Sequence, residues 1–184
     1  MNLHFVTSNP NKFRELSELL EFNLYHIEID LQEIQTTDLH ELVKFKLRQA
    51  YEHVQAPVMV EDTSLYFEAW NELPGPLVKF FLKNIGLSGM VGALDKFNNK
   101  SASAACSLGF TKDGKSIHLF EGKVKGHIVE PRGSQRFGWD SIFLPAGYQR
   151  TFGEMSSQEK HQISPRWLAA KKFMGFLTLK ARQK

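Results

Sequence analysis

A short apolar strand pattern runs directly into a helix start at the beginning of this chain. Residues 3–7 are rich in apolar and β-branched residues, as in a buried strand. Asn9 then suits a helix N-cap, and Pro10 suits the first helical position, where its missing N–H costs nothing. Because the free backbone N–H groups of a helix N-terminus point outward, this strand–turn–helix unit favours binding of an anion.

Strand and helix patterns follow one another along the rest of the chain. The acidic pair Glu61-Asp62 falls at the end of a short buried strand pattern, where ligands usually bind in α/β folds. Asp113-Gly114 separates two long strand patterns, which predicts a hairpin turn. Gly86 and Gly89 interrupt an apolar helical stretch. We expect strands over residues 3–7, 24–31, 58–60, 101–111 and 117–129, and helices from Pro10, over 38–54, 77–82 and 90–97, and from 165 to about 179.

Composition limits the kinds of protein that this chain can be. Its 184 residues suit one domain, spanning residues 1–184. A net charge of +3 gives no basic stripe for nucleic acid, and no apolar run approaches membrane-spanning length. Cys106 is the only cysteine, which excludes a disulfide framework and a zinc finger. With no leader pattern at its start, we expect a soluble cytoplasmic protein with neither nucleic acid nor membrane as partner.

The loop after the first strand pattern carries the side chains of a phosphate site. Lys12 would face outward from the first helical turn and neutralise a phosphate. Hydrogen-bond donors are added by Thr7, Ser8, Asn9 and Asn11. The alternative is an ordinary helix cap followed by a solvated lysine. The loop lacks the glycine–lysine signature of a P-loop.

Two neighbouring carboxylates and a third one upstream suggest a site for a divalent cation. Glu61 and Asp62 follow a buried strand pattern, where unpaired charge is costly. Magnesium prefers oxygen ligands and often shares them with substrate phosphates. Glu33 would supply a further carboxylate from another loop. The alternative is a pair of exposed loop acids that bind nothing.

A second group of residues, later in the chain, suits a nucleobase. The segment Phe137-Gly138-Trp139-Asp140 combines aromatic rings for stacking, a glycine that permits close approach and a carboxylate that accepts from a ring N–H. Lys160 and Arg166 would donate to the edge of the base. Ser164-Pro165 begins a helix, and the helix dipole favours anions near that start. An arginine at position 166 opposes this preference, which indicates a functional role. The alternatives are an aromatic core segment and a solvated arginine.

Taken in order, these segments resemble the inosine triphosphate pyrophosphatase family, which hydrolyses non-standard purine nucleoside triphosphates. Residues 7–12 are similar to the family's Thr-Gly-Asn-x-x-Lys phosphate loop. Trp139 and Glu61-Asp62-Thr63 are closer to the eukaryotic-type enzymes. The remaining resemblance lies in Asp30-Leu31-Gln32-Glu33, Glu61-Asp62-Thr63-Ser64-Leu65, Leu73-Pro74-Gly75-Pro76, Pro131-Arg132-Gly133, Phe137-Gly138-Trp139-Asp140, Glu154-Met155 and Lys160.

The resemblance implies an α/β fold in which a long curved mixed β-sheet is flanked by helices, with two lobes and an active-site cleft between them. It also implies a homodimer and a requirement for Mg²⁺. Asp62 and Lys12 would be catalytic, and Glu33 and Asp62 would hold the metal. The nucleotide would contact Thr7, Ser8, Asn9, Asn11, Lys12, Lys46, Asp62, Thr63, Lys79, Phe137, Gly138, Trp139, Asp140, Lys160, Pro165 and Arg166.

Three residues depart from the family's pattern. Ser8 replaces a glycine and Ser141 a proline, while Pro165 replaces the histidine of a Ser-His-Arg motif near the base. The first hypothesis is an enzyme that converts ITP, dITP and XTP to monophosphate and pyrophosphate. The second, motivated by Pro165, is a nucleotide-binding protein with little or no hydrolysis. The third is a related pyrophosphatase acting on pyrimidine or modified nucleotides.

Overall fold

A seven-stranded sheet that carries parallel and antiparallel pairs forms the centre of the computed structural model. The structure describes residues 2–20, 22–134 and 137–182. The strands are β1 (Leu3–Val6), β2 (Leu24–Ile27), β3 (Val58–Phe67), β4 (Pro74–Gly75), β5 (Ser101–Thr111), β6 (His118–Ile128) and β7 (Phe143–Pro145). Their order is β2-β1-β3-β5-β6-β7, with β4 paired to β3. The predicted α/β class with a mixed sheet is confirmed.

Five helices accompany this sheet in the described part of the chain. They are α1 (Pro10–Leu19), α2 (Leu39–Val54), α3 (Val78–Gly92), α4 (Ser157–Ile163) and α5 (Pro165–Arg182). The cap predicted for α1 is present, because the Asn9 side chain accepts from the N–H groups of Asn11 and Lys12. Asp38 caps α2 in the same way. Local capping chemistry therefore fixes where both helices begin.

Helices cover the sheet from both sides. On one face, Phe5 and Met59 are completely buried against Phe173 of α5 and against α1. On the other face, Val60 is completely buried against Leu47 of α2. Successive residues of β3 therefore point alternately toward α5 and toward α2.

The start of α5 lies unusually close to β6. A Cβ atom at Gly122 would collide with the backbone of Pro165 and Ala169. Glycine at this position lets the first turn of α5 approach the sheet, and that turn carries Arg166. This close approach of α5 to β6 sets how far the Arg166 side chain reaches toward β3.

Three element predictions are wrong at their boundaries. The strand predicted over residues 58–60 continues to Phe67, because all of β3 pairs with β5. Glu61 and Asp62 thus lie within a strand and not at its end. The second strand ends at Ile27 and not at residue 31. The helical stretch predicted over residues 90–97 ends at Gly92, and the predicted break in α3 is confined to Gly86 (φ 66°, ψ −178°). The helix α4 was not predicted at all.

The hairpin prediction is confirmed. β5 and β6 pair in register from Ser101 opposite His127 to Phe110 opposite His118. Asp113 shapes the turn by accepting from the N–H groups of Lys115 and Ser116. The two-lobe arrangement and the single domain over residues 1–184 stay predictions. None of the described helices has the length and apolar character needed to cross a membrane.

Candidate active site

One cavity of about 490 Å³ brings together residues that lie far apart in the sequence. Its walls come from the end of β1, the start of α1, the middle of β3 and the starts of α3 and α5. All the residues predicted to contact nucleotide or metal line it: Thr7, Ser8, Asn9, Asn11, Lys12, Glu33, Lys46, Asp62, Thr63, Lys79, Phe137, Gly138, Trp139, Asp140, Lys160, Pro165 and Arg166. Their individual roles stay predictions.

The loop at the start of α1 forms one wall of the cavity. Asn9 accepts from the N–H groups of Asn11 and Lys12 at 3.0 and 3.2 Å. The Asn9 N–H in turn donates to the hydroxyl of Thr7 at 3.1 Å. These bonds hold the loop with the N-terminal end of α1 beside the cavity, which suits phosphate oxygens.

The neighbouring carboxylates Glu61 and Asp62 point to opposite faces of the sheet, since they are consecutive residues of one strand. Lys12 nevertheless contacts both, with its Nζ 3.6 Å from Glu61 Oε1 and 3.5 Å from Asp62 Oδ1. It can do so because β1 ends at Val6, which leaves this stretch of β3 uncovered on that side. Glu61 and Asp62 therefore do not form the one joint acidic pair predicted from the sequence. They lie in two separate sites, and Lys12 contacts both.

On the α2 side, Lys46 bridges the two predicted metal ligands. Its Nζ lies 2.7 Å from Asp62 Oδ2 and 3.0 Å from Glu33 Oε1. Burial by itself would raise the pKa of Asp62, but Lys12 and Lys46 outweigh it and lower that pKa to about 2. Burial would lower the pKa of Lys46, and Asp62 and Glu33 raise it overall. Asp62 and Lys46 are therefore both charged at neutral pH.

The loop that carries Glu33 is fixed by a reciprocal pair of hydrogen bonds. The Gln32 N–H donates to the side chain of Gln49 at 3.1 Å, and that side chain donates back to the Gln32 carbonyl at 3.0 Å. Lys79, at the start of α3, reaches Glu33 Oε2 at 3.4 Å. Glu33 is thus held by α2 on one side and faces an exposed lysine on the other.

The donor set of Glu33 and Asp62 fits a hard divalent cation. Both groups are carboxylates, and one ammonium nitrogen already lies within hydrogen-bonding distance of both. Within residues 2–20, 22–134 and 137–182, no cluster of three or more histidine, cysteine, aspartate or glutamate side chains could hold a metal. Two carboxylates alone do not complete the coordination of such a cation.

On the α5 side, Arg166 and Glu61 form a buried bidentate ion pair. Nε and Nη2 of Arg166 donate to the two Glu61 oxygens at 2.6 and 2.8 Å. Burial would raise the pKa of Glu61, but Arg166 lowers it overall, so the carboxylate stays charged. Glu61 is therefore a buried, paired carboxylate and not an exposed loop acid. Arg166 is not a solvated arginine.

The base-side residues form a second charged group. Lys160 donates to Asp140 at 2.5 Å, and its Nζ lies 4.3 Å from the centre of the Phe137 ring. Burial raises the pKa of Asp140 despite the nearby lysine. Trp139 is buried against Phe143, so it is largely a core residue that also lines the cavity. Phe137 therefore offers the aromatic surface nearest to the charged groups.

Comparisons with known proteins show which family this chain belongs to. A family model described as the Ham1 family matches residues 3–176. The chain belongs to the Ham1 family. The resemblance seen in the sequence is thereby confirmed.

Relatives and solved structures of Ham1 proteins are similar over almost the whole chain. The inosine triphosphate pyrophosphatase of Schizosaccharomyces pombe is 45% identical over 94% of this chain and 93% of its own length. That of Scheffersomyces stipitis is 42% identical over 94% and 96%. The structure of a HAM1 protein from Coxiella burnetii has a TM-score of 0.84 and 28% identity, and covers 97% of this chain and 99% of its own.

Glu15 is a site residue of this Ham1 chain that the sequence reasoning missed. It does not line the cavity, yet it contacts Arg166 Nη1 and lies 3.1 Å from Lys160 Nζ. Its position gave a usable signal, because Glu15 lies three residues after Lys12 and one before the buried Leu16 on α1. A charge on the inner face of an amphipathic helix indicates a partner.

Pro165 is the first residue of α5 in this Ham1 chain, as predicted. Ser164 caps the helix by accepting from the Trp167 N–H at 3.1 Å. Pro165 is buried and lines the cavity beside Arg166. The helix start is thus intact without the histidine of the family motif.

Proposed function

We propose that this chain is a nucleoside triphosphate pyrophosphatase that hydrolyses ITP, dITP and XTP. Water would add to the α-phosphorus, and the bond to the β-phosphate oxygen would break, giving monophosphate and pyrophosphate. Ham1 relatives named inosine triphosphate pyrophosphatase, at 42–45% identity, support this reaction class. The physiological role would be to remove non-standard purine nucleotides from the nucleotide pool.

The observation that carries the proposal is a row of alternating charges, all of which except Glu15 line one cavity. Each member contacts the next, and cations alternate with carboxylates from the Phe137 ring to the start of α3. The row consists of Asp140, Lys160, Glu15, Arg166, Glu61, Lys12, Asp62, Lys46, Glu33 and Lys79. One end suits a base and the other suits a metal-bound triphosphate, as expected for a nucleotide substrate.

At the phosphate end, the chain supplies positive charge and fixed donors. Lys12, Lys46 and the N–H groups at the start of α1 would neutralise the triphosphate and stabilise the leaving pyrophosphate. Glu33 and Asp62 would hold a divalent metal, proposed to be Mg²⁺, which would polarise the phosphate oxygens and activate water. Asp62 remains a carboxylate at neutral pH, so it is available as a ligand.

At the base end, Arg166 and Lys160 favour an acceptor. Within the described residues, three of the five N–H groups of Arg166 donate to Glu15 and Glu61. The other two would be left for a ligand in the cavity that Arg166 lines. A 6-oxo purine presents an oxygen to these donors, whereas the 6-amino group of ATP presents another donor. A buried donor left unpaired is costly, and this supports selection of ITP over ATP.

A pyrophosphate-release assay tests the proposed function. Purified protein is given ITP, XTP, dUTP or ATP, with and without Mg²⁺. We expect metal-dependent release of pyrophosphate from ITP and XTP at the highest kcat/KM. Nucleotide binding without release would favour the non-hydrolysing alternative, and preference for dUTP would favour the pyrimidine alternative.

Three finer proposals accompany the enzyme. We propose a homodimer, a cytoplasmic location and the absence of nucleic acid and membrane partners. The relatives are similar over nearly their whole length, so an oligomer of the family's usual kind would be available to this chain. Sedimentation velocity at micromolar concentration decides the oligomeric state.

A further inference from the structure

The carbonyl group of Thr7 lies just beyond the last pair of the β1–β2 ladder. That ladder ends with Val6 opposite Ile27, and the Thr7 N–H still donates to the Ile27 carbonyl at 3.1 Å. In a parallel ladder that continued, the Thr7 carbonyl would accept from a main-chain N–H farther along β2. Instead, the His26 ring supplies the donor, with Nε2 2.9 Å from the Thr7 oxygen.

Two contacts define the orientation of the His26 ring. A carbonyl oxygen only accepts, so the Nε2 atom that faces Thr7 must carry a proton. The flat face of the ring stacks on Phe13, with centroids 4.4 Å apart and an interplanar angle of 13°. Phe13 follows Lys12 directly in α1. The imidazole therefore connects both ends of the loop over residues 7–12.

We propose that His26 is a positioning residue for the phosphate loop, defined as residues 7–12. The inference rests on the proposed function. His26 lies outside the cavity lining and acts through Thr7 and Phe13. Thr7 in turn stabilises the next part of the loop, since its hydroxyl accepts from the N–H of Asn9, the residue that caps α1. A loop held at both ends presents its donors to phosphate without first being ordered.

Two variants at position 26 separate the hydrogen bond from the ring. His26→Phe keeps a flat ring on Phe13 and removes the donor. His26→Gln keeps a donor at about the same reach and removes the ring. His53→Phe is the matched control, because His53 is also exposed and its ring nitrogen lies 2.8 Å from a main-chain carbonyl, that of Gln49, outside the cavity.

The expected result is a split between KM and kcat. His26→Phe raises the KM for ITP and for ATP by the same factor, about threefold to tenfold, the usual range for one hydrogen bond. Its kcat falls by a smaller factor than the KM rises, because the loop binds the triphosphate before reaction as well as the leaving pyrophosphate. The inhibition constant of tripolyphosphate, a probe without a base, rises by the same factor. His26→Gln and His53→Phe stay close to the parent.

Other outcomes overturn the inference. An unchanged KM and tripolyphosphate inhibition constant in His26→Phe would show that the hydrogen bond positions nothing. An equal loss in His26→Gln would show that the ring, and not the donor, matters. If His26→Phe proves unstable, His26→Ala replaces it, and we expect the same rise in the inhibition constant of tripolyphosphate. A parent without pyrophosphate release overturns the proposed function instead, and tripolyphosphate binding by calorimetry then still tests His26.

Discussion

Lys46 holds the two carboxylates that we propose as metal ligands. Its Nζ contacts Asp62 Oδ2 at 2.7 Å and Glu33 Oε1 at 3.0 Å. The same oxygens cannot serve the ammonium and a metal at full strength together. The lysine is thus a competitor of the metal in the absence of nucleotide, and a phosphate ligand is the natural new partner for it.

The first prediction concerns the affinity for the metal alone. Lys46→Met should bind Mn²⁺ or Mg²⁺ roughly tenfold or more tightly without nucleotide, since a contacting positive charge is removed. Its kcat/KM for ITP should nevertheless fall. Calorimetric titration with the metal measures the first effect. Lys12→Met is the control, because Lys12 lies 3.5 Å from Asp62 but does not bridge to Glu33, and it should gain less.

The second prediction concerns Asp62. Replacing this carboxylate by an amide removes the charge that holds the metal, so Asp62→Asn should lower kcat by orders of magnitude with the fold intact. Steady-state kinetics and circular dichroism measure the two properties. Asp95→Asn, at an exposed carboxylate paired with Lys100, should keep parental activity. Near-normal turnover in a folded Asp62→Asn protein would remove the metal-site proposal.

At the scale of elements, the break in α3 depends on one glycine. Gly86 has φ 66° and ψ −178°, a conformation that is practically restricted to glycine. The part of α3 before it begins at Val78 and carries Lys79 in its first turn, and Lys79 faces Glu33. Gly175 differs, because it lies exposed inside the regular helix α5 and has open space where a Cβ atom would be added. Gly86 thus permits a backbone conformation that other residues disfavour, whereas Gly175 occupies an ordinary helical position.

The third prediction uses these glycines as a matched pair. Gly86→Ala should lower the free energy of unfolding by about 1–3 kcal/mol through backbone strain. Gly175→Ala should raise it by up to about 1 kcal/mol, since alanine is the better helix former. Urea denaturation of both variants measures the difference. Equal effects would mean that α3 can straighten at little cost.

The fourth prediction concerns the start of α5. Pro165 lines the cavity at the first helical position, beside Arg166. We expect Pro165→His to increase the ratio of kcat/KM for ITP over ATP, by up to about tenfold, because it adds a donor near the base. Thermal stability should drop slightly, since proline suits this position. An unchanged ratio would mean that position 165 does not contact the base, and an inactive parent restored by the histidine would favour the non-hydrolysing alternative.

At the scale of the whole molecule, buried carboxylates link stability to acid pH. The folded protein lowers the pKa of Glu61 below 4.5 and that of Asp62 from 3.8 to about 2. Groups with lowered pKa values stabilise the fold above their ordinary values, and that stability is lost as the pH falls through the folded values. Asp140, whose pKa is raised by burial, acts in the opposite sense.

The fifth prediction follows from those directions. The free energy of unfolding should be nearly constant above pH 5 and should fall between about pH 4 and pH 2, with about 2 kcal/mol from Asp62 alone. Urea unfolding at a series of pH values measures the slope. Asp62→Asn should show a smaller acid loss than the parent. A parent whose stability does not change over this range would contradict the charged network.

Much of the site was predictable because its residues carry local signals. Asn9 and Pro10 mark a helix start by capping chemistry that needs no tertiary contact, and α1 begins there. Ser164 and Pro165 mark the start of α5 for the same reason. Aromatic and charged residues in a fixed order then gave the family.

The pairing of charges was not predictable from the sequence. Glu61-Asp62 reads as an acidic loop, but the ladder with β5 makes it part of β3 and turns the two carboxylates to opposite faces. Partners for both come from segments far along the chain, since Arg166 reaches Glu61 and Lys46 reaches Asp62. Strand pairing over long sequence separations has no local signature.

The sequence by itself determined the class of fold, the starts of α1 and α5, the hairpin and many of the residues that line the cavity. Each of these depends on side-chain chemistry that acts within a few residues or on an ordered series of motifs. Tertiary structure alone decided which cation contacts which carboxylate, where β3 ends, and that Glu15 contacts Arg166 and His26 contacts Thr7. Those facts depend on how closely elements approach, as where Gly122 lets α5 reach the sheet, and such distances are set by packing of the whole core.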